Sequence, residues 1–278
     1  MSTTADAAVV ERAEEQAGAR VERLQLLARS MQTLSEDRDY PTPPERGVVM
    51  GDVYYKTVGR EFLDHFVGFA NLDPDADILD AGCGGGRMAA ALLYYLREGS
   101  YTGFDVHPES IDWCRATIAP RNPRFSFDHA DLRNSQYNPA GKRQAADHRF
   151  PYGGESFDFV IAVSLFTHMF RRETARYLSE FARVLRPGGA AFVTAYLLNA
   201  DSLLAMTREP GAVLFPESFE DSLVLDGDRP AAGVAHREDW LLADARACGL
   251  GLDRVAYGAW TARVRLSKQD VLLLRRDR

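Results

Sequence analysis

The residues with the clearest chemical potential lie in Ile78-Leu79-Asp80-Ala81-Gly82-Cys83-Gly84-Gly85-Gly86-Arg87. A short apolar run ends in glycines and opens into a helical pattern. Glycines there let the backbone take positive φ and approach a ligand closely. Nineteen residues after Gly86 stands Asp105, in Gly103-Phe104-Asp105-Val106, where a carboxylate can accept both hydroxyls of a ribose. Two ligand types use such a layout. A dinucleotide wants G-x-G-x-x-G; Gly82 and Gly84 fill the first two places, but the third is Arg87. Asp80 would also set a carboxylate beside a pyrophosphate, whereas it suits a cationic group.

These residues need strand ends to hold them. The apolar pattern predicts strands at 77–81, 101–106, 124–130, 157–163 and 190–196, and two closing strands near 252–257 and 270–275. Helices are expected near 87–96, 108–118, 173–185 and 237–248. Strands alternating with helices imply a doubly wound α/β fold, with a mostly parallel seven-stranded sheet covered on both faces. Residues 6–35 read as one helix whose apolar stripe Gly18 and Arg20 interrupt. It either packs on its own domain or serves as a lid or a homodimer contact. A Pro-rich linker at 37–46 follows, then a second helix with Phe62, Phe66 and Phe69 inward. The expected division is an N-terminal helical extension and linker over 1–49 and one domain over 50–278, with lid-like insertions at 133–150 and 199–236.

The order of these motifs resembles the class I S-adenosylmethionine-dependent methyltransferases of the small-molecule type, over roughly residues 50–278. Asp80-Ala81-Gly82-Cys83-Gly84-Gly85-Gly86 is similar to the family's glycine loop. Asp105, followed by His107-Pro108-Glu109, matches the acid that holds the cofactor ribose. Ala130-Asp131-Leu132 looks like the segment that meets the adenine. Phe150-Pro151-Tyr152, Ser156-Phe157-Asp158 and Leu185-Arg186-Pro187-Gly188-Gly189 resemble the approaches to the fourth and fifth strands. The resemblance implies S-adenosylmethionine as cofactor, S-adenosylhomocysteine as its product, and a cofactor site formed by Asp80, Gly82, Cys83, Gly84, Gly86, Asp105, Val106, Asp131, Leu132 and Ser164. Asp158 at a strand start is expected to be structural.

The methyl position should face the end of the fourth strand, at Ser164-Leu165-Phe166-Thr167-His168. His168 is the base candidate there, since histidine titrates near neutral pH; the competing reading is a histidine packed behind the cofactor loop. Tyr54, Tyr55, Tyr137, Phe166, Tyr196, Asn199 and Trp260 are the substrate-side candidates; the apolar face and single polar tip of the tyrosines and Trp260 suit a small polar ligand. Ordinary core packing competes for each, and is expected for at least half of the polar aromatics. His65, His107, His129, His148 and His236 have no metal-ligand spacing and are expected mostly at the surface; no metal is expected.

Composition narrows the function. With 33 basic and 40 acidic residues the net charge is −7, which disfavours nucleic-acid partners. No Asn/Asp-Pro-Pro-aromatic tetrad stands at the fourth strand, where amino-directed nucleic-acid enzymes of this class usually carry one. Cys83, Cys114 and Cys248 make neither a disulfide framework nor a zinc site. No apolar run approaches a membrane span, and no secretory signal opens the chain, so a cytoplasmic protein with no membrane partner is expected. The leading expectation is methyl transfer to O, N or C of a small metabolite, such as a natural-product intermediate or a sugar. A protein or nucleic-acid methyltransferase, a cofactor-binding enzyme of another reaction such as cyclisation, and a nicotinamide oxidoreductase are the alternatives.

Overall fold

The computed structural model describes residues 3–43, 54–262 and 265–277. The expected boundary at 49/50, like Gly51-Asp52-Val53, lies outside them. Five parallel strands form the centre: β1 (Ile78–Ala81), β2 (Tyr101–Asp105), β3 (Phe125–His129), β4 (Phe157–Ala162) and β5 (Leu185–Leu198), in the order β3-β2-β1-β4-β5. The chain closes with β9 (Leu250–Ala256) and β10 (Asp270–Arg276), which run antiparallel to each other, and β10 runs antiparallel to β5. These seven strands are the expected sheet. Helices α3 (Arg87–Leu92), α4 (Pro108–Thr117), α5 (Arg171–Val184) and α7 (Glu238–Ala247) cover it.

Alternation along each strand builds two cores. Ile78, Phe159, Ile161 and Phe192 point to one face, where Phe66 meets Phe192 edge-on with ring centroids 5.0 Å apart. Leu79, Val160, Ala162 and Val193 point to the other, beneath Phe181 and Leu241. A strand buried on both sides reads as an unbroken apolar run, which is why 157–163 was legible. Asp158 is structural: its carboxylate accepts from the Asp77 N–H at 2.9 Å and from Arg186 at 2.6 Å.

Three further strands exceed the expected seven. β5 runs on past Tyr196 to Leu198, and its last three residues pair in parallel with β8 (Val234–Arg237). β7 (Ser222–Val224) and β6 (Glu217–Phe219) extend that edge antiparallel. The insertion at 199–236 is therefore a small folded unit, with α6 (Ala200–Arg208) capped by Asn199, rather than a plain loop. Strands of three residues carry too little periodicity to read.

Helix α1 (Thr3–Glu36) runs unbroken through Gly18. Its last third packs on the domain through Leu27 and Leu34, with Ser30 Oγ donating to the Tyr94 carbonyl at 2.7 Å. Val21 and Leu24 remain exposed. α2 (Tyr55–Asp64) follows with Phe62 inward. The expectation of surface histidines is corrected for His65, His148 and His236, all buried. Each lies among rings or on an inner strand: His65 against Phe62, His148 against Phe104 and Phe150, and His236 on β8.

Candidate active site

A cavity of about 300 Å³ opens at the carboxyl ends of β1, β2 and β4, beside the loop after β3. This is where open α/β sheets bind ligands. Its wall follows the strand order. Asp80, Gly82, Cys83, Gly84 and Gly85 come from β1, and Asp105 and Val106 from β2. Leu132 follows β3, and Ser164, Leu165 and His168 follow β4.

The glycine turn has the strain its composition anticipates. Gly82, Gly84 and Gly86 have φ of 77°, 51° and 74°, a region that L side chains avoid. Gly82 and Gly84 face the cavity, whereas Gly86 does not line it. A Cβ on Gly86 would sit 2.5 Å from Ile118 Cδ1 and 2.8 Å from Cys114 Sγ. Its smallness therefore lets α3 and α4 close behind the loop. Cys83 is buried against Gly103, where a Cβ would meet its Sγ at 2.9 Å.

Two carboxylates dominate the electrostatics. Asp105 Oδ2 accepts from the Gly84 N–H at 2.8 Å and Oδ1 from the His107 N–H at 2.9 Å. Those bonds aim the carboxylate and leave a free lone pair on each oxygen, enough for two hydroxyls. Burial holds its pKa up against the hydrogen bonds that lower it. Asp80 is 1% exposed, and its Oδ2 accepts from the Tyr101 hydroxyl at 2.6 Å. Burial, with the nearby charge of Asp105, pushes Asp80 up to about 7, while Tyr101 and Arg87 pull it down. A cation entering the cavity would offset that cost. A buried carboxyl, a glycine-rich turn and a second carboxylate with spare lone pairs fit the ammonium and ribose of S-adenosylmethionine. A pyrophosphate would meet two carboxylates instead.

The β4 side is shaped by strain of another kind. Ser164 is a non-glycine residue at φ 56°, a conformation that functional sites retain at a cost of about 1–3 kcal/mol. Its N–H donates to Thr194 Oγ1 at 2.7 Å, and its hydroxyl donates to Gln269 Oε1 at 3.2 Å. His168 ends the 3-10 turn Phe166–His168. Its Nδ1 lies 2.9 Å from the Ala231 carbonyl. A carbonyl only accepts, so Nδ1 carries the proton and Nε2 keeps its lone pair. Burial lowers the pKa of the ring, and Tyr137 meets it edge-on at 5.6 Å.

Several expected residues lie elsewhere. Asp131 sits off the wall, its Oδ1 accepting from the Lys142 N–H at 3.3 Å; Leu132 faces inward in its place. Tyr55 is buried behind the glycine turn and donates to the Gly85 carbonyl at 2.8 Å, and Tyr54 is 66% exposed. Phe166 stacks on Phe181 in the core. Tyr196 and Trp260 pack with Phe215 in a third cluster, where Trp260 Nε1 donates to Asp270 at 2.8 Å. Asn199 caps α6. Of the substrate-side candidates, Tyr137 alone lines this cavity. An apolar ring with a polar tip fits a core as well as a ligand, and neighbouring packing decides between them. Sequence reasoning missed Gln269, Glu173 and Tyr177, which also line it, as does Met169 beside His168. Helical spacing joins Glu173 to Tyr177, but no local signal marks Gln269.

Among the described residues, no group of three or more His, Cys, Asp or Glu side chains is placed to hold a metal. No described helix is long and apolar enough to cross a membrane.

Comparison with known proteins gives the same picture. A methyltransferase-domain family model matches residues 78–189. The phthiotriol/phenolphthiotriol dimycocerosates methyltransferase of Mycobacterium leprae (strain TN) is 34% identical over 112 residues, 40% of this chain and 34% of that one. A fatty-acid O-methyltransferase of Mycolicibacterium smegmatis is 32% identical over 114 residues, again 40% and 34%. The matched segment thus spans about a third of the length of these curated relatives. Among solved structures, the PH0226 protein from Pyrococcus horikoshii OT3 aligns with a TM-score of 0.57 at 14% identity, covering 87% of this chain and all of that one. The [4+2]-cyclase SpnF aligns at 0.52 and 18% identity, covering 91% and 93%. Residues 78–189 thus match the methyltransferase-domain family model, and the chain has the Rossmann-like methyltransferase fold.

Proposed function

We propose that this chain is an S-adenosylmethionine-dependent methyltransferase whose acceptor is a small molecule. The observation that carries the reading is the pair Asp80 and Asp105 on one cavity wall, 1% and partly exposed, flanking a positive-φ glycine turn. When bound, S-adenosylmethionine supplies a methyl group on a positively charged sulfur, already activated for displacement.

The chain's own residues then have four tasks. Asp80 meets the cationic amino-acid end, and Asp105 takes the ribose hydroxyls. Val106, Leu132 and Phe104 offer an apolar bed for the base. Leu165, Met169 and Tyr177 wall the cavity and restrict water, which strengthens the charge interactions inside. His168 stands at the β4 end with its Nε2 lone pair available. It accepts the proton of a hydroxyl acceptor as the new bond forms, help that is typically about 10²–10⁴-fold in rate. An amine acceptor attacks as the free base and needs that help less.

A small-molecule acceptor is supported by three features: the compact cavity, the net charge of −7, and the acceptors named for the curated relatives, phthiotriol or phenolphthiotriol dimycocerosates and a fatty acid. Protein or nucleic-acid acceptors would need an open groove at the methyl position. The test is a mass gain of one methyl group across a panel of small hydroxy, amino and carboxylic metabolites. Transfer only to a bulk protein or RNA fraction would overturn the small-molecule assignment.

A further inference from the structure

The insertion after β5 grips the turn that carries His168 at two points. From its 3-10 turn Pro230–Ala232, the Ala231 carbonyl accepts from His168 Nδ1 at 2.9 Å. From β8, His236 Nε2 lies 2.8 Å from the Phe166 carbonyl. That carbonyl also accepts from the Met169 N–H at 3.2 Å, closing the turn. A carbonyl only accepts, so His236 must carry its proton on Nε2. His236 is 4% exposed, and burial holds its pKa low, so the ring is a neutral, fixed donor. The sheet fixes its backbone too, since His236 stands opposite Leu197 in the β5–β8 register.

We propose that His236 is a positioning residue for His168: with the Ala231 carbonyl it holds the Phe166–His168 turn so that the imidazole presents Nε2, unprotonated, to the cavity. The inference rests on the proposed role of His168 as base. A neutral imidazole accepts a proton only at the nitrogen that lacks one, so a base of this kind needs its tautomer set before the acceptor arrives. The Ala231 carbonyl sets the tautomer. The His236 bond keeps the turn within reach of that carbonyl, because both partners hang from the same insertion. The insertion is thus part of the reaction centre's scaffold.

The charged neighbours do not supply this role. Arg171, Asp221, Arg237 and Asp244 line a small pocket with His236. Arg171 is paired with Asp244 at 3.0 Å and Arg237 with Asp239 at 2.6 Å. Around His168 the cavity brings Tyr137, Glu173, Asp105 and Arg133, and none of them has a bond to its ring among the hydrogen bonds of the described residues. The tautomer is therefore set by the insertion alone.

Long-range proton–nitrogen correlation spectra of the isotope-labelled full chain, saturated with S-adenosylhomocysteine, report which ring nitrogen is protonated. In the wild type the His168 proton should sit on Nδ1 and the His236 proton on Nε2. His236→Phe removes the donor; His168 should then show both tautomers, with its titration moving down as the Ala231 hydrogen bond that raises it is lost. His236→Gln returns an amide donor near the Nε2 position and should restore the wild-type spectrum. A wild-type His168 protonated on Nε2 overturns the proposal without any variant. So does an unchanged His168 spectrum and titration in His236→Phe, or in His236→Leu if the phenylalanine does not fold. Calorimetry with S-adenosylhomocysteine separates the two readings: absent binding to the wild type counts against the proposed function, while the tautomer is still read in the ligand-free protein.

Discussion

Replacing Asp80 by asparagine should stabilise the fold and weaken the cofactor site together. Asp80 is 1% exposed, and its carboxylate accepts from the Tyr101 hydroxyl at 2.6 Å. Its pKa stands at about 7 against an ordinary 3.8, chiefly through burial. Between those values the folded state holds a proton that the unfolded chain has released. Stability from this group is therefore present at low pH and falls as pH rises toward about 7, where the loss is complete. The gap corresponds to at most roughly 4 kcal/mol. Asparagine is neutral at every pH and keeps an oxygen for Tyr101. At pH 8 the variant should be the more stable protein, by a few kcal/mol at most, or about 2–4 °C in Tm per kcal/mol. At pH 4.5 the difference should shrink toward zero. Affinity for S-adenosylhomocysteine should fall about 10–100-fold, the worth of a charged hydrogen bond at about 1.5–3 kcal/mol. Urea titrations at both pH values and calorimetry read these effects. A variant less stable than wild type at pH 8, or a difference equal at both pH values, would refute the reasoning.

Three more outcomes are expected. His168→Ala should lower kcat by about 10²–10⁴-fold for a hydroxyl acceptor while leaving S-adenosylhomocysteine affinity intact by calorimetry; equal loss of both would make the residue structural. Gly86→Ala places a Cβ 2.5 Å from Ile118 Cδ1 at φ 74°, and urea denaturation should show a loss of about 2–4 kcal/mol from strain and overpacking. In hydrogen exchange, the exposed strand Glu217–Phe219 should exchange faster than the central strand β4. Equal protection would mean that the outer hairpin does not open.

What the sequence revealed follows from how local each signal is. The glycine turn, Asp105 and the strand at 157–163 are written in consecutive residues, so the fold and one wall of the cavity could be read directly. The insertion could not. Its strands β6 and β7 are three residues each, and β8 is held by pairing with a β5 end that runs two residues past the expected limit. The aromatics divided for a related reason. Tyr137 reaches the cavity, whereas Tyr196 and Trp260 fill a cluster with Phe215, and nothing near them in the chain distinguishes the two fates. Gln269 joins Ser164 across 105 positions, a contact made only when β10 docks beside β5. Asp131 and Leu132 show the limit at single-residue scale, since the turn after β3 decides which side chain faces in.

The most direct test of the account is calorimetric titration of the full chain with S-adenosylhomocysteine and, separately, with NAD. The wild type should bind S-adenosylhomocysteine at one site and show no heat with NAD. Asp105→Ala should lose about 1.5–3 kcal/mol of that binding with the ribose hydrogen bonds. Tight binding of NAD, or S-adenosylhomocysteine affinity unchanged in Asp105→Ala, would contradict the assignment of this cavity.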